Sequence, residues 1–340
     1  SYKTWCGWAR RKPYLYVGAI VAIEPSTGEI LAMVSSPTYN PDLMVGRQRN
    51  TNFLEMTRNQ RQPQFTRALK EHYAPGSTFK LVQGLVGLQE GVLTPANAYP
   101  CHNGYSYGSK RMGCHPHASP LDLRNAVAQS CNAYFCYVFR NIIENRKFKD
   151  VKEGLDRWVE YVHSFGFGRK LGSDFPSELG GFIPDSKYYD RVYGKGAWKA
   201  TTVISLSIGQ GEIGCTPMHI ANLCATIANR GYYYIPHIVK DSDNVTIDPK
   251  YKERHYTMVD TLHFPKVIEG MYGAGVFYEE ALELVYPEAC NAANKAQGAV
   301  DSLKNQLCGS VFDHNISPKK RVSAASRYPY FYITPKSKSP

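Results

Sequence analysis

The chain has 340 residues, 43% of them hydrophobic and 20% charged, with 28 Gly and 21 Pro spread along it; this excludes a disordered, collagenous or staple-dependent mini-protein and leaves room for a substantial core. Its longest apolar run, Leu15 to Ile23, has nine residues against the roughly 20 that a spanning helix needs, and Ser1–Lys12 lacks the pattern of a secretory signal, so any export or anchoring signal is expected to have been removed. The excess of 40 Lys+Arg over 29 Asp+Glu is scattered except for a cluster in 318–338, and no zinc-finger, RNP-type or basic-zipper pattern accompanies it, so no nucleic-acid partner is expected.

Residues 1–16 read as the remnant of a preceding region or linker. Val17 to Pro37 then holds two apolar strands around Pro25-Ser26-Thr27-Gly28, a β-hairpin. Residues 40–73 are polar and read as a long loop or an insertion with short helices bordering a cleft. Pro75-Gly76-Ser77 opens a helix whose apolar positions are Phe79, Leu81, Val82, Leu85 and Leu88, closing at Gly91. Residues 94–120 are loop-like, with four Pro, three Gly, two Cys and three His, and 121–143 is one apolar helical stretch containing Ser130-Cys131-Asn132. A weaker helix is expected near 151–165. Residues 201–231 read as a short strand or loop, a glycine turn and a helix from Thr216 to Gly231. Strand-like character returns at 232–239, helical character at 261–273 and more weakly at 281–304, and strand-like runs at 306–312 and 328–334. No internal repeat is present. Strands at both ends and helices between them imply an α+β domain over 17–340. Its antiparallel sheet is closed by terminal segments, and a mostly helical lobe of about 74–200 is inserted, with the cleft where lobe meets sheet.

Ser77 and Lys80, three residues apart at a helix start, project on one face with Cβ atoms about 5–6 Å apart. That distance suits a hydroxyl and an amine that exchange a proton. A serine becomes a good nucleophile only when a base takes its proton, and a lysine desolvated beside the positive end of a helix can serve. S-x-x-K alone is a weak signal. Here it is followed 50 residues after Lys80 by Ser130-Cys131-Asn132, the S-x-N element that accompanies S-x-x-K in penicillin-recognising enzymes.

Four blocks in order extend the match: GAIVAIEPSTGEILAMVSSPTYNP at 18–41, RALKEHYAPGSTFK at 67–80, SPLDLRNAVAQSCNAYFCYV at 119–138 and IGQGEIGCTPMHIANLCATIANRG at 208–231. Over about 17–272 the sequence resembles the transpeptidase domain of a class B penicillin-binding protein, most closely the elongation-type, penicillin-binding protein 2-like branch. The resemblance implies a β-lactamase/transpeptidase-like fold and a peptidoglycan D,D-transpeptidase needing no cofactor for catalysis. Ser77 attacks a D-Ala-D-Ala carbonyl of a stem peptide, Lys80 takes its proton, Ser130 relays a proton to the departing D-alanine, and Asn132 holds the substrate amide. The main-chain N–H of Ser77 and one from a facing strand form the oxyanion hole. β-Lactam antibiotics are the expected inhibitors. The expected location is the periplasmic side of the bacterial inner membrane, with the anchor absent from this chain and cell-elongation proteins as partners.

The family's K-[ST]-G triplet occurs nowhere in the sequence. Leu307-Cys308-Gly309-Ser310-Val311-Phe312 stands where it is expected, and Lys304 and Lys319 are the candidate substitutes. The alternatives are a catalytically weakened or inactive scaffold of the same fold in the cell-elongation machinery, or a serine β-lactamase or D,D-carboxypeptidase. The β-lactamase reading lacks an E-x-x-L-N loop to activate the deacylating water.

Nine Cys, at 6, 101, 114, 131, 136, 215, 224, 290 and 308, cannot all pair within the chain. Cys101, Cys114, His117 and Cys131 form a C-x12-C-x2-H-x13-C set suited to a closed structural zinc site. The alternative is a Cys101–Cys114 disulfide with Cys131 a buried helix residue, and His102, His115 and Cys136 leave the choice of four open.

Overall fold

The computed structural model describes residues 17–240 and 246–285; the expected strands at 306–312 and 328–334, the region replacing K-[ST]-G, Lys304 and Lys319 lie outside them. The chain opens with β1 (Gly18–Ile23) and β2 (Ile30–Ser36), paired antiparallel with Val21 opposite Met33 and a bulge between Ala22 and Ile23. The turn between them requires glycine at 28. Its φ is +83°, and a Cβ there would sit 2.8 Å from Tyr234 Cβ and 2.9 Å from the Ile235 carbonyl. Backbone bonds from Ile30 N to His237 O (2.8 Å) and from His237 N to Gly28 O (3.1 Å) lay the 237 segment beside the turn.

The polar stretch after the hairpin holds a 3-10 turn (Pro41–Met44), α1 (Arg49–Arg58) and the single-turn α2 (Arg67–Lys70). A 3-10 turn (Gly76–Phe79) then leads into α3 (Lys80–Gln89). The expected loop at 94–120 contains a short hairpin, β3 (Gly104–Tyr107) with β4 (Lys110–Gly113). Its sequence signal was the alternation Tyr105, Tyr107 ahead of Gly108. The single helix expected over 121–143 is two helices, α4 (Leu123–Ala128) and α5 (Asn132–Ile143), broken at Ser130. Helices α6 (Val151–Ser164) and α7 (Ser186–Tyr193) follow, then a 3-10 turn (Ile204–Ile208) where a strand or loop was expected, and α8 (Pro217–Ala228). The strand expected over 232–239 shrinks to β5 (Tyr232–Tyr233), paired with β6 (His255–Tyr256), and α9 (Phe264–Val285) is the last described element. Among the described residues each sheet has two strands.

The main core surrounds α3, whose Val82, Leu85 and Val86 are fully buried among Leu123, Phe135, Phe139, Trp158 and Val267. Phe79, Phe139 and Trp158 meet edge to face, and truncating any of them to Ala removes roughly 3–5 kcal/mol. A smaller cluster under the first hairpin joins Ala19 and Met33 to Leu69, Leu171, Met218 and Tyr233. The helices approach closely at small residues: a Cβ on Gly87 would lie 2.8 Å from Val138 Cγ1 and 3.2 Å from Leu93 Cβ. Gly87→Ala is therefore expected to cost about 1–3 kcal/mol through overpacking, measured as a lower urea midpoint with an unchanged m-value; an unchanged midpoint contradicts this packing.

Candidate active site

Three ties to other segments fix the turn that presents Ser77. Gly76 N donates to Gly209 O at 2.9 Å, and Tyr73 and Cys215 exchange backbone bonds of 2.8 and 2.9 Å. Gly209 is pressed so closely on the turn that a Cβ there would stand 2.5 Å from Gly76 O and 2.7 Å from Phe79 Cβ. Ser77 is exposed on this turn, while Lys80, one turn on and the first residue of α3, is only 2% exposed.

All three donors of the Lys80 ammonium are committed: to Ser130 O at 2.6 Å, Ser130 Oγ at 2.9 Å and Asn132 Oδ1 at 2.6 Å. Burial lowers its pKa to about 8, against an opposing pull from the thiols of Cys114, Cys131 and Cys136. At pH 7 about a tenth of the amine is then free base, some 300-fold more than at an ordinary lysine. Desolvation, one of the two causes expected for a lysine beside a helix N-terminus, is the leading one.

Ser130 meets Lys80 twice because of the break between α4 and α5. Its φ is +50°, rare for a non-glycine residue, and a conformation of this kind costs on the order of 1–3 kcal/mol. It turns the Ser130 carbonyl and hydroxyl toward the same ammonium. Asn132 is held in its turn: Nδ2 donates to Gly113 O at 2.8 Å and the backbone N–H to Cys114 Sγ at 3.3 Å.

Cys101, Cys114, His117 and Cys131 come together, with all four ligand atoms within 4.8 Å of one another. Nδ1 of His117 lies 2.6 Å from the Ala118 carbonyl and its Nε2 lies 3.4 Å from Cys114 Sγ. A proton on Nδ1 satisfies that carbonyl and points the Nε2 lone pair at the thiols. Burial pushes the thiols of Cys101 and Cys131 up; at Cys114 it is outweighed by hydrogen bonds that include those from the backbone N–H groups of Asn132 and Ala133, so that thiol lies below its usual range. Of the other candidates, Cys136 Sγ lies 3.2 Å from Ser207 Oγ and His102 is exposed, while His115 Nδ1 stays 4.0 Å from Cys114 Sγ. All the described cysteines, Cys101 and Cys114 included, are free thiols.

Residues 18–274 match the penicillin binding protein transpeptidase domain. The chain belongs to that family. This transpeptidase domain is 36% identical over 228 residues to the peptidoglycan D,D-transpeptidase MrdA of Acinetobacter baumannii, covering 66% of this chain and 32% of that protein. A crystal structure of Pseudomonas aeruginosa PBP2 in complex with WCK 5153 is similar with a TM-score of 0.62 at 30% identity, covering 75% of this chain and 56% of that one. A chain from a structure described as the structural coordination of polymerization and crosslinking by a peptidoglycan synthase complex gives a TM-score of 0.65 at 29% identity, covering 76% and 42%. The transpeptidase domain spans about a third to a half of the length of the curated relatives it matches. Its fold is the α+β, β-lactamase-like one that the motif blocks implied.

A base that must be unprotonated sets the sign of the pH dependence. With the Lys80 pKa at about 8, acylation by a penicillin is expected to rise about tenfold for each pH unit below 8 and to level off above it. Time courses of fluorescent-penicillin labelling from pH 6 to 9 check this, and a flat profile removes Lys80 as the titrating base.

Proposed function

We propose that this domain catalyses peptidoglycan D,D-transpeptidation of the cell-elongation type, with Ser77 as nucleophile. The observation that carries the reading is the single ammonium of Lys80, one turn from Ser77, bonded at once to Ser130 and Asn132. In the free-base form the amine gives up one donor. Its lone pair, beside Ser130 Oγ at 2.9 Å, is then open to take a proton. Ser77 Oγ attacks the carbonyl of the penultimate D-alanine, and its proton goes to Lys80. The oxyanion accepts from the Ser77 N–H. The C–N bond breaks with Ser130 supplying a proton to the departing D-alanine amine, and Lys80 restores that proton to Ser130. An amine of a neighbouring stem peptide attacks the ester, forming the cross-linking amide and freeing Ser77. Asn132 keeps one Nδ2 hydrogen beyond that given to Gly113 O, enough to hold a substrate carbonyl.

Stem peptides and β-lactams are the ligands of this reading, and partners of the elongation machinery on the periplasmic side of the inner membrane are its setting. The absence of K-[ST]-G from the sequence favours the scaffold as a second reading. A hydrolytic β-lactamase has less support, because it needs a carboxylate to activate the deacylating water and Glu212, the carboxylate of the glycine turn, accepts the Tyr189 hydroxyl at 2.8 Å, a structural engagement. Mass spectrometry after penicillin treatment is expected to place a persistent adduct on Ser77, lost in Ser77→Ala. An adduct elsewhere overturns the assignment, rapid turnover supports the β-lactamase, and no adduct supports the scaffold.

The Cys101, Cys114, His117 and Cys131 set fits zinc: three thiols and an oriented imidazole lie within 4.8 Å of one another, a cradle that can contract to the S···S spacing of about 3.8 Å set by Zn–S bonds of about 2.3 Å. Zinc would supply a four-coordinate cross-link with no open position. Cys131 lies between Ser130 and Asn132, so this set ties the 101–117 loop to the segment that grips Lys80. Elemental analysis is expected to give about one equivalent of zinc, and Cys131→Ala is expected to lower both melting temperature and acylation. Less than about half an equivalent, with Cys101 and Cys114 linked to each other, overturns the metal in favour of a disulfide.

A further inference from the structure

Behind the nucleophile helix lies a polar contact that the reaction does not use directly. Gln83, one turn after Lys80 on α3, is fully buried. Its Oε1 accepts from Trp158 Nε1 at 2.9 Å, and its Nε2 donates to Leu206 O at 3.0 Å. The amide has only one possible orientation, because indole is solely a donor and a carbonyl solely an acceptor. Leu206 O also accepts from Gly209 N at 3.1 Å, and Gly209 O accepts from Gly76 N at 2.9 Å. These bonds close a ring that leaves α3 at Gln83, crosses the 204–209 turn and returns at Gly76, the residue before Ser77. The same turn is tied to α5, where Cys136 Sγ lies 3.2 Å from Ser207 Oγ and that hydroxyl donates to Ile204 O at 2.6 Å. The 204–209 turn thus braces the helix that follows Ser77 against the helix that starts at Asn132.

We infer that Gln83 is a positioning residue for acylation, fixing the Gly76–Ser77 backbone relative to Lys80 through Leu206 and Gly209. The inference rests on Ser77 being the nucleophile. Lys80 is already anchored at its far end by Ser130 and Asn132, so the Ser77–Lys80 distance is set by where the 76–77 turn is held. Gln83 is fully buried beside Trp158 and Leu206, where a leucine of similar bulk fills the space. A satisfied buried hydrogen bond contributes only about 1 kcal/mol net to stability. The amide therefore does more for geometry than for stability, and a displacement of about 1 Å at a reacting atom can cost on the order of 100-fold in rate.

The test compares the intact chain with Gln83→Leu and Trp158→Phe, the second variant removing the donor that orients the amide while keeping an aromatic ring in the core. The readouts are the acylation rate constant and the dissociation constant for fluorescent penicillin, the melting temperature, and hydrogen exchange at the Gly76 amide. Gln83→Leu is expected to lower the acylation rate constant by about tenfold or more, with the dissociation constant changed less than about threefold and Gly76 exchange accelerated. Trp158→Phe is expected to give the same pattern more weakly, and it carries the test if Gln83→Leu does not fold. Gln83→Glu, kept protonated by burial at low pH, is expected to retain the rate at pH 6 and to lose it as pH rises. A folded Gln83→Leu that acylates like the intact chain, or a loss that only tracks the unfolded fraction, overturns the inference. If the intact chain is not acylated, the nucleophile reading fails; Gly76 exchange then decides the brace, and unchanged protection overturns it.

Discussion

One buried ammonium organises the candidate site. Taking a lysine nitrogen out of water disfavours its charged form unless each donor finds an acceptor. Lys80 has three acceptors, all from the short segment 130–132. To deliver them the chain must stop one helix, turn through a left-handed residue and start another within three positions. The helix break, the Ser130 backbone and the packing of α4 and α5 against α3 follow from that requirement. The residue that is hardest to bury becomes the one whose protonation is easiest to change near neutral pH.

The chemistry was more legible in the sequence than the geometry that supports it. Ser77, Lys80, Ser130 and Asn132 are visible because S-x-x-K and S-x-N are short local patterns in an informative order. The break at Ser130 was not visible, because the apolar period of 121–143 runs through it and the donors that hold it lie on Lys80, 50 residues earlier. The β3–β4 hairpin was hidden by the Pro and Gly around it, and the 204–208 turn by its resemblance to a short apolar strand. Gln83 carried no signal, since a glutamine inside a helix is ordinary until its neighbours are known. The four-residue Cys/His set was only partly readable: the spacing nominated it among several neighbours, and folding separated it from His102 and Cys136.

The thiols also act on the backbone. Cys131 Sγ accepts from Tyr134 N at 3.3 Å, and Cys114 Sγ accepts from Asn132 N. The first turn of α5 is thus capped by sulfur, where oxygen side chains are the usual caps. A helix N-terminus favours negative charge, so the lowered Cys114 thiol and the position of Asn132, whose N–H it accepts, support each other.

Two of the acceptors around Lys80 are side-chain atoms and the third is the Ser130 carbonyl. Substitution can delete the hydroxyl of Ser130 or the amide of Asn132, but no substitution can delete a main-chain oxygen. Under mutational drift the charge-holding part of this site therefore has a floor. A lineage that lost both side chains, and with them any proton relay, would still fold Lys80 against one fixed acceptor, and the architecture could outlive the catalysis.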